Sequence, residues 1–542
     1  MPIMMRTPLR HLGGSLRRTP LRLVEGLEED PQAYHRAYDL GHTHASRGKD
    51  PEPDNPSVPG HLKKAYMSGF ATGRAETAAP GVERPEHEPA DTGGQRDVKP
   101  SMTLSLDDVP ESVGRVAATI NAAGGRALLI GGAVRDKLMG KQSKDWDIEV
   151  YGLDTDRLAD AMRVHGNVDE VGKKFGVLKL VVGDEDFDVS VPRREVKTGP
   201  GHKDYDIVPD PSMTIKEAAL RRDYTMNTVS MDPHTGDMYD PYNGAQDIND
   251  RVLRATDPGV FVEDSLRILR GAQFAARFGM TVEPKTMELM QQASPELVNL
   301  PRARIGTEWR KLLMKGETPS TGLDVMKQTG ALRELHPELE ALETNGTWDQ
   351  TKVAVDRATE LTKEATPQFK EAIRYGALFH AVSAQNMAEM LHASVDIPKN
   401  TSARISQMLS EQANVHDQMT DADIRRMAHR MGPATIEELS MLTHAVRGDE
   451  GRDTAQTLLQ RAQELGVSQA APRPILQGRH LMQKGVKGGP WIGKTLAHVY
   501  DKQLNGDVTD MESAQREAQI AMTQHECRGL TMLPRREGLN LL

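Results

Sequence analysis

Apolar positions along this chain change their period near residue 255. Before it, short apolar runs alternate with helical stretches. Val113 to Ala123 has helical spacing, and Ala127-Leu128-Leu129-Ile130 is a short apolar run that stops at Gly131-Gly132. Arg135 to Met139 opens another helix, Asp147 to Tyr151 alternates polar and apolar residues as a half-buried strand does, and Leu158 to Val164 returns to helical spacing. Phe175 to Val182 and Phe187 to Val191 predict two further strands. After Pro258 the spacing is helical almost to the end, starting with Glu263 to Phe278, Pro284 to Ala293 and Ile305 to Met314. The pattern predicts an α+β class, a small mixed head followed by an all-helical neck, body and tail.

The boundaries follow from composition. Residues 1–29 form a basic arm with Arg6, Arg10, Arg17, Arg18 and Arg22 ahead of the first acid, Glu25, and disorder is expected there. Residues 30–76 predict a small helical hairpin, with Ala37-Tyr38-Asp39-Leu40-Gly41 and Ala65-Tyr66-Met67-Ser68-Gly69-Phe70 flanking a Pro-rich loop from Pro51 to Pro59. Residues 77–105 are rich in Pro, Gly and charge, a composition that buries too little apolar surface to order itself, so they are assigned as a disordered linker. The head then spans 106–254, the neck 255–335, the body 336–465 and the tail 466–542.

Charge and cysteine content narrow the functional classes. No run of 18 apolar residues occurs, which argues against a membrane partner. The lone Cys527 excludes a disulfide framework and a multi-cysteine zinc site, and it fits a reducing, cytoplasmic setting. A net charge of -10 is against a uniformly basic nucleic-acid binder, and 4% aromatic content is against a broad base-stacking platform.

The candidate chemistry lies in the head. An apolar strand runs into Gly131-Gly132 and a helix start carrying Arg135, which suits close approach of a phosphate. Nine residues past Asp136 come Asp145-Trp146-Asp147. In a strand, i and i+2 point to the same side, so both carboxylates project together. Such a pair calls for a cation, and Mg²⁺ takes one or two carboxylates plus substrate phosphates. Asp188, on the next strand, supplies a third acid and completes a set that suits two-metal phosphoryl transfer. Arg221-Arg222-Asp223 and Asn227 add groups for a triphosphate. In Glu263-Asp264-Ser265-Leu266-Arg267-Ile268-Leu269-Arg270, the residues Asp264, Arg267 and Arg270 are spaced to share one helical face, with Glu263 reaching Arg267 at i+4. A carboxylate beside a guanidinium complements the amino/acceptor edge of cytosine and adenine and opposes that of guanine and uracil.

The segments GGAVRD, DWD, RRDYTMNT, DPYNGAQDINDRVLRAT, EDSLRILRGAQFAARFG and PILQGRHLMQKGVKGGPWIGKTL resemble, in this order, the class II tRNA nucleotidyltransferase and bacterial poly(A) polymerase family. The resemblance implies a polymerase-beta-like nucleotidyltransferase head, with a neck, body and tail that hold the tRNA acceptor end. It implies Asp145 and Asp147 as Mg²⁺ ligands and Asp188 as a third ligand, base or brace. It implies that Gly131, Gly132, Arg135, Arg222, Asp223 and Asn227 bind the incoming nucleotide and that Asp264, Arg267 and Arg270 read C or A. The implied activity is template-independent addition of C and A from CTP and ATP to tRNA 3′ ends. A-only or poly(A) addition is the alternative, and a non-catalytic RNA- or ribosome-binding protein is a third reading. Lys484, Lys487 and Lys494 in the tail are candidates for phosphate contacts.

One departure from relatives stands out. Gln350 and His380-Ala381 occupy places where some relatives have the histidine and His-Asp pair of a metal phosphohydrolase, so a degenerate helical remnant without that activity is expected. The unit at 30–76 resembles the ribosome modulation factor, which implies a ribosome or RNA contact.

Overall fold

In the computed structural model, residues 98–143, 145–170, 172, 176–197, 205–383, 387–484 and 489–530 are described. The basic arm, the helical hairpin, most of the linker and Lys487 lie outside them. The head is built on β1 (Met102–Thr103), β2 (Arg126–Ile130), β3 (Asp145–Tyr151), β4 (Val168–Asp169), β5 (Val177–Val182), β6 (Glu185–Ser190), β7 (Arg193–Lys197), β8 (Tyr205–Pro209), β9 (Ser230–Met231) and β10 (Asp237–Tyr239). Eight of these form one sheet in the order β1-β10-β9-β2-β3-β6-β5-β4, and β7 pairs β8 in a separate hairpin. Within the sheet β3 and β6 run parallel and register Asp145 with Asp186 and Asp147 with Asp188. A parallel pair needs a crossover. The chain supplies it through the helix Thr155–Met162 and the β4–β5 excursion.

Five helices belong to the head: α1 (Glu111–Ala122), α2 (Gly132–Leu138), α3 (Thr155–Met162), α4 (Ile215–Leu220) and α5 (Gly244–Asn249). The period-2 rule decides which strand residues reach solvent. On β3, Trp146, Ile148 and Val150 enter a core shared with Val113, Val116 and Ile120 of α1 and Leu158 of α3. On β6, Phe187 and Val189 enter the same core. The intervening Asp145, Asp147, Asp186 and Asp188 are therefore left on the opposite face. Leu128 and Ile130 of β2 pack there against Ile215 and Ala218 of α4.

The neck starts with β11 (Val252–Leu253), α6 (Pro258–Phe261) and α7 (Leu266–Phe278), followed by β12 (Thr281–Val282), which pairs β11 in parallel. Helices continue as α8 (Pro284–Ala293), α9 (Arg302–Lys315), α10 (Pro319–Gln328) and α11 (Ala331–Leu335). The body holds α12 (Pro337–Thr344), α13 (Trp348–Leu361), α14 (Pro367–Phe379), α15 (Met387–Val395), α16 (Lys399–Glu411), α17 (Asp421–Met431), α18 (Ile436–Arg447) and α19 (Asp449–Glu464). One apolar core runs from Tyr224 in the head to Val467. Buried Arg374 of α14 donates to the carbonyls of Leu313 (2.7 Å) and Thr359 (3.2 Å), which closes the C-terminal ends of α9 and α13.

The tail, α20 (Gly478–Gln483), α21 (Pro490–Asn505) and α22 (Met511–Leu530), has its own small core of Leu476, Leu481, Val499, Val508, Ala514 and Ala518. It docks on α17 through an edge-to-face contact of Tyr500 with His429 (5.1 Å) and an ion pair of Arg426 with Asp501 (3.1 Å).

The predicted α+β class, mixed head and helical remainder hold. Two local expectations, a boundary and a helix start, do not. Met102–Thr103, inside the expected linker, pairs with β10 and extends the sheet, so the ordered head begins before Leu106. The β7–β8 hairpin and the two-residue β9 carry too little periodicity to be read from sequence. The helix expected from Glu263 begins at Leu266, because Asp264 Oδ1 accepts the Leu266 amide and holds the preceding turn outside the helix.

Candidate active site

The end of β2 opens the site. Gly131 has φ +64, a left-handed conformation that a side chain resists. A Cβ here would face Arg222 Nη1 at 3.5 Å and Asp147 Oδ2 at 3.6 Å. The turn thus places the α2 N-terminus beside the acids of β3. Asp147 is pushed above the usual carboxylate range, first by burial and then by Asp188, with Asp145 adding to it and Arg222 opposing it. Among the described residues, no three His, Cys, Asp or Glu side chains are gathered into a ready cage. Lys179 of β5 occupies the outer side of Asp188 and donates to its oxygens at 2.7 and 3.0 Å. A hollow of about 620 Å³ runs along Asp145, Asp186, Asp188 and Lys179.

A second cleft of about 530 Å³ shares Asp147 with that hollow. It brings together Gly131, Gly132, Arg135, Arg222, Asp223, Asn227, Asp264, Arg267 and Arg270, all singled out from sequence. Arg135 is buried, donates to Asn227 Oδ1 (2.9 Å) and Asp136 Oδ1 (2.6 and 2.8 Å), and stacks over Phe278. Arg222 pairs with Glu149 (3.3 Å), whose other oxygen accepts the Tyr151 hydroxyl (2.6 Å).

Asp223 is a brace. Burial pushes its carboxyl up, but Arg270, Asn227 and the Tyr224 amide outweigh burial and hold it below the usual range. Its bonds run to Arg270 Nε (2.5 Å), Asn227 Nδ2 (2.9 Å) and Tyr224 N (2.8 Å). Tyr224 donates to the Arg267 carbonyl (2.7 Å), and Gly271 leaves the room for it: a Cβ there would lie 2.2 Å from the Tyr224 hydroxyl. Arg267 donates to the carbonyls of Val260 and Arg221. Burial pulls its guanidinium below the usual range. Glu263 does not bridge to Arg267 as the i+4 spacing suggested. It pairs instead with Arg221 (3.6 Å), because Glu263 lies ahead of α7, which starts at Leu266, and the i+4 geometry is absent.

Comparison with known proteins places this arrangement. The poly A polymerase head domain matches residues 127–254, and the probable RNA and SrmB-binding site of polymerase A matches residues 279–342. The Multifunctional CCA protein of Xanthomonas oryzae pv. oryzae is 41% identical over 219 residues, covering 40% of this chain and 51% of that protein. The protein of the same name from Vibrio vulnificus has the same identity and coverage. Residues 127–254 and 279–342 thus match two domains of poly A polymerases, and the matched part of the chain is similar to the Multifunctional CCA proteins. It spans about half the length of the curated relatives it matches. The Bacillus stearothermophilus CCA-adding enzyme in complex with CTP shares the fold with a TM-score of 0.60, at 21% identity, over 78% of this chain and 99% of that one. The Thermotoga maritima CCA-adding enzyme complexed with tRNA gives 0.54 at 20% identity, over 77% and 97%.

Sequence reasoning missed several residues in and beside the cleft. Glu149, which lines an adjoining hollow with Arg222, carried a usable signal, since it continues the i, i+2 series of Asp145 and Asp147. Arg193, Arg277, Arg304 and Lys311 line the cleft itself. Arg304 and Lys311 come from α9, and no local pattern marks a residue that reaches the site from a distant helix. His380, from the suspected phosphohydrolase remnant, sits at the end of α14 with Nδ1 2.8 Å from the Ala377 carbonyl, and burial lowers its basicity. Among the described residues, no helix is long and apolar enough to cross a membrane.

Proposed function

We propose that the chain is a CCA-adding tRNA nucleotidyltransferase that joins C and A from CTP and ATP to an RNA 3′ end. The observation that carries this reading is the shared position of Asp147, between the acid-lined hollow and the arginine-rich cleft. The 3′-hydroxyl oxygen bonds to the nucleotide α-phosphorus and gives up its proton to solvent, the bond from that phosphorus to the pyrophosphate oxygen breaks, and pyrophosphate leaves. Arg222 and Arg135 counter the triphosphate charge. Asp264 accepts from the base amino group, and Arg267 donates to the adjoining ring acceptor. Arg270, locked by Asp223, keeps a positive charge beneath that pair.

The donor set fits a hard divalent cation. Asp145 and Asp147 would hold Mg²⁺, with Asp188 adjacent, and the raised proton affinity of Asp147 marks the charge that a cation relieves. Such an ion supplies charge neutralisation at the phosphates. Soluble tRNA 3′ ends, CTP and ATP are the proposed substrates, in the cytoplasm. The test is incubation of the purified chain with Mg²⁺, labelled CTP or ATP, and tRNA transcripts ending before CCA, after C and after CC. Ordered C, C, A addition is expected. A added alone, on the CC transcript or on unrelated RNA, shifts the reading to an A-adding or poly(A) enzyme, and no incorporation removes both.

A further inference from the structure

Asp264 is held by a residue from another helix. The two oxygens of its carboxylate have different partners. Oδ1 accepts the Leu266 amide at 3.1 Å, and Oδ2 accepts from Arg304 Nη2 at 2.8 Å. Arg304 lies in the first turn of α9, and both residues line the nucleotide cleft. Arg267, the other proposed reader, has a different anchor, since it is tied by two backbone carbonyls, those of Val260 and Arg221. One member of the pair is therefore oriented by main chain and the other by a side chain that substitution can remove. An ionised carboxylate offers about four lone-pair directions, so the two that are taken fix the plane in which the remaining ones face the base.

The backbone that carries Arg304 is itself pinned to the body. Gly306 packs so closely on the end of α15 that a Cβ would lie 2.5 Å from Asp396 Cβ and 2.8 Å from the Val395 carbonyl. Arg302 pairs with Asp396 at 3.5 Å. We infer that Arg304 is a positioning residue for base choice, a clamp from the neck that sets the orientation of the Asp264 carboxylate and so the preference for C and A over U and G. This rests on the proposed function, in which Asp264 reads the base. Side-chain exposures of 47% and 37% give such an ion pair little weight in stability. Its removal is expected to show in selectivity.

The test compares kcat/KM for CTP, ATP, UTP and GTP in the full chain and in Arg304→Ala, Arg304→Gln, Arg304→Lys and Asp264→Asn. Arg310→Ala is the control. Arg310 lies on the same helix and pairs with Glu371 (3.0 Å), and neither residue lines the cleft. Thermal melting reports folding, and if Arg304→Ala unfolds, the Gln and Lys variants carry the comparison. Arg304→Ala or Arg304→Gln is expected to lower the preference for CTP and ATP over UTP and GTP about tenfold, mostly through KM, as loss of one oriented hydrogen-bonding group does. Arg304→Lys restores part of it, Arg310→Ala matches the parent, and Arg304→Ala added to Asp264→Asn costs nothing further. If Asp264→Asn loses selectivity while Arg304→Ala and Arg304→Gln keep it within about twofold, the clamp is overturned and the base-reading assignment stands. If the parent chain shows no preference for C and A, the proposed function fails and takes the clamp with it.

Discussion

Lys179 Nζ lies 2.7 Å from one carboxylate oxygen of Asp188 and 3.0 Å from the other. A divalent cation near Asp188 and Asp147 competes with this ammonium. Lys179→Met removes the competitor while leaving both acids in place. Because the pair is exposed, the gain is modest, and Mn²⁺ titration followed by electron paramagnetic resonance is expected to show binding about 2- to 5-fold tighter than in the parent. Unchanged affinity would mean that the bound cation does not approach Asp188.

The two acids of β3 are expected to behave differently from the cleft arginines. Asp145→Ala or Asp147→Ala removes a proposed cation ligand, and incorporation of CTP and of ATP falls together, by about 1,000-fold or more. Arg267→Ala instead relaxes base choice, with UTP or GTP incorporation rising relative to CTP. Initial rates with each of the four nucleotides separate the two patterns, and unchanged selectivity in Arg267→Ala rejects that residue as a reader.

How much of this was legible in the sequence depends on distance along the chain. Asp145, Asp147 and Asp188 were readable because period-2 alternation dictates which strand residues escape the core, and the parallel β3–β6 register then set Asp147 beside Asp188. Arg135, Arg222 and Asp264 were readable because the motifs carry them. Arg304 was not, since its pair with Asp264 spans 40 residues and joins the turn before α7 to α9, a packing that no local pattern encodes. The start of α7 was misplaced for a smaller reason: a side-chain bond to the Leu266 amide outcompeted helical continuation at Asp264.

Buried Asp223 pairs with half-buried Arg270, and the contribution of this pair to stability has a definite sign with pH. The folded-state affinity of Asp223 for a proton is depressed, so the stabilisation is fully present above the ordinary value of 3.8 and is lost as pH falls through the lower folded value. Asp223→Ala leaves the half-buried Arg270 charge without its partner, and a loss of about 1–3 kcal/mol is expected near neutral pH. Urea unfolding at pH 7 and pH 3 measures both. The gap between parent and variant should narrow at the lower pH, and a gap that widens there contradicts the assignment.

The last prediction concerns Gly271, whose replacement meets the Tyr224 hydroxyl. Gly271→Ala drives a methyl to 2.2 Å from the Tyr224 oxygen and 2.5 Å from Met290 Cε. Tyr224 is fully buried, its ring edges onto Phe261 (5.6 Å) and Phe274 (5.9 Å), and its hydroxyl holds the Arg267 carbonyl, so it has no free direction in which to retreat. Overpacking of this kind costs about 1–3 kcal/mol. Tyr224→Phe removes the oxygen that clashes but also the bond to Arg267, so alone it should destabilise and loosen base choice. Combined with Gly271→Ala, it should cost less than the sum of the two single changes, because the methyl then fills space that the hydroxyl vacated. Thermal melts of the two single variants and the double variant decide this. Strict additivity would show that the strain of Gly271→Ala falls on Met290 and leaves Tyr224 unaffected.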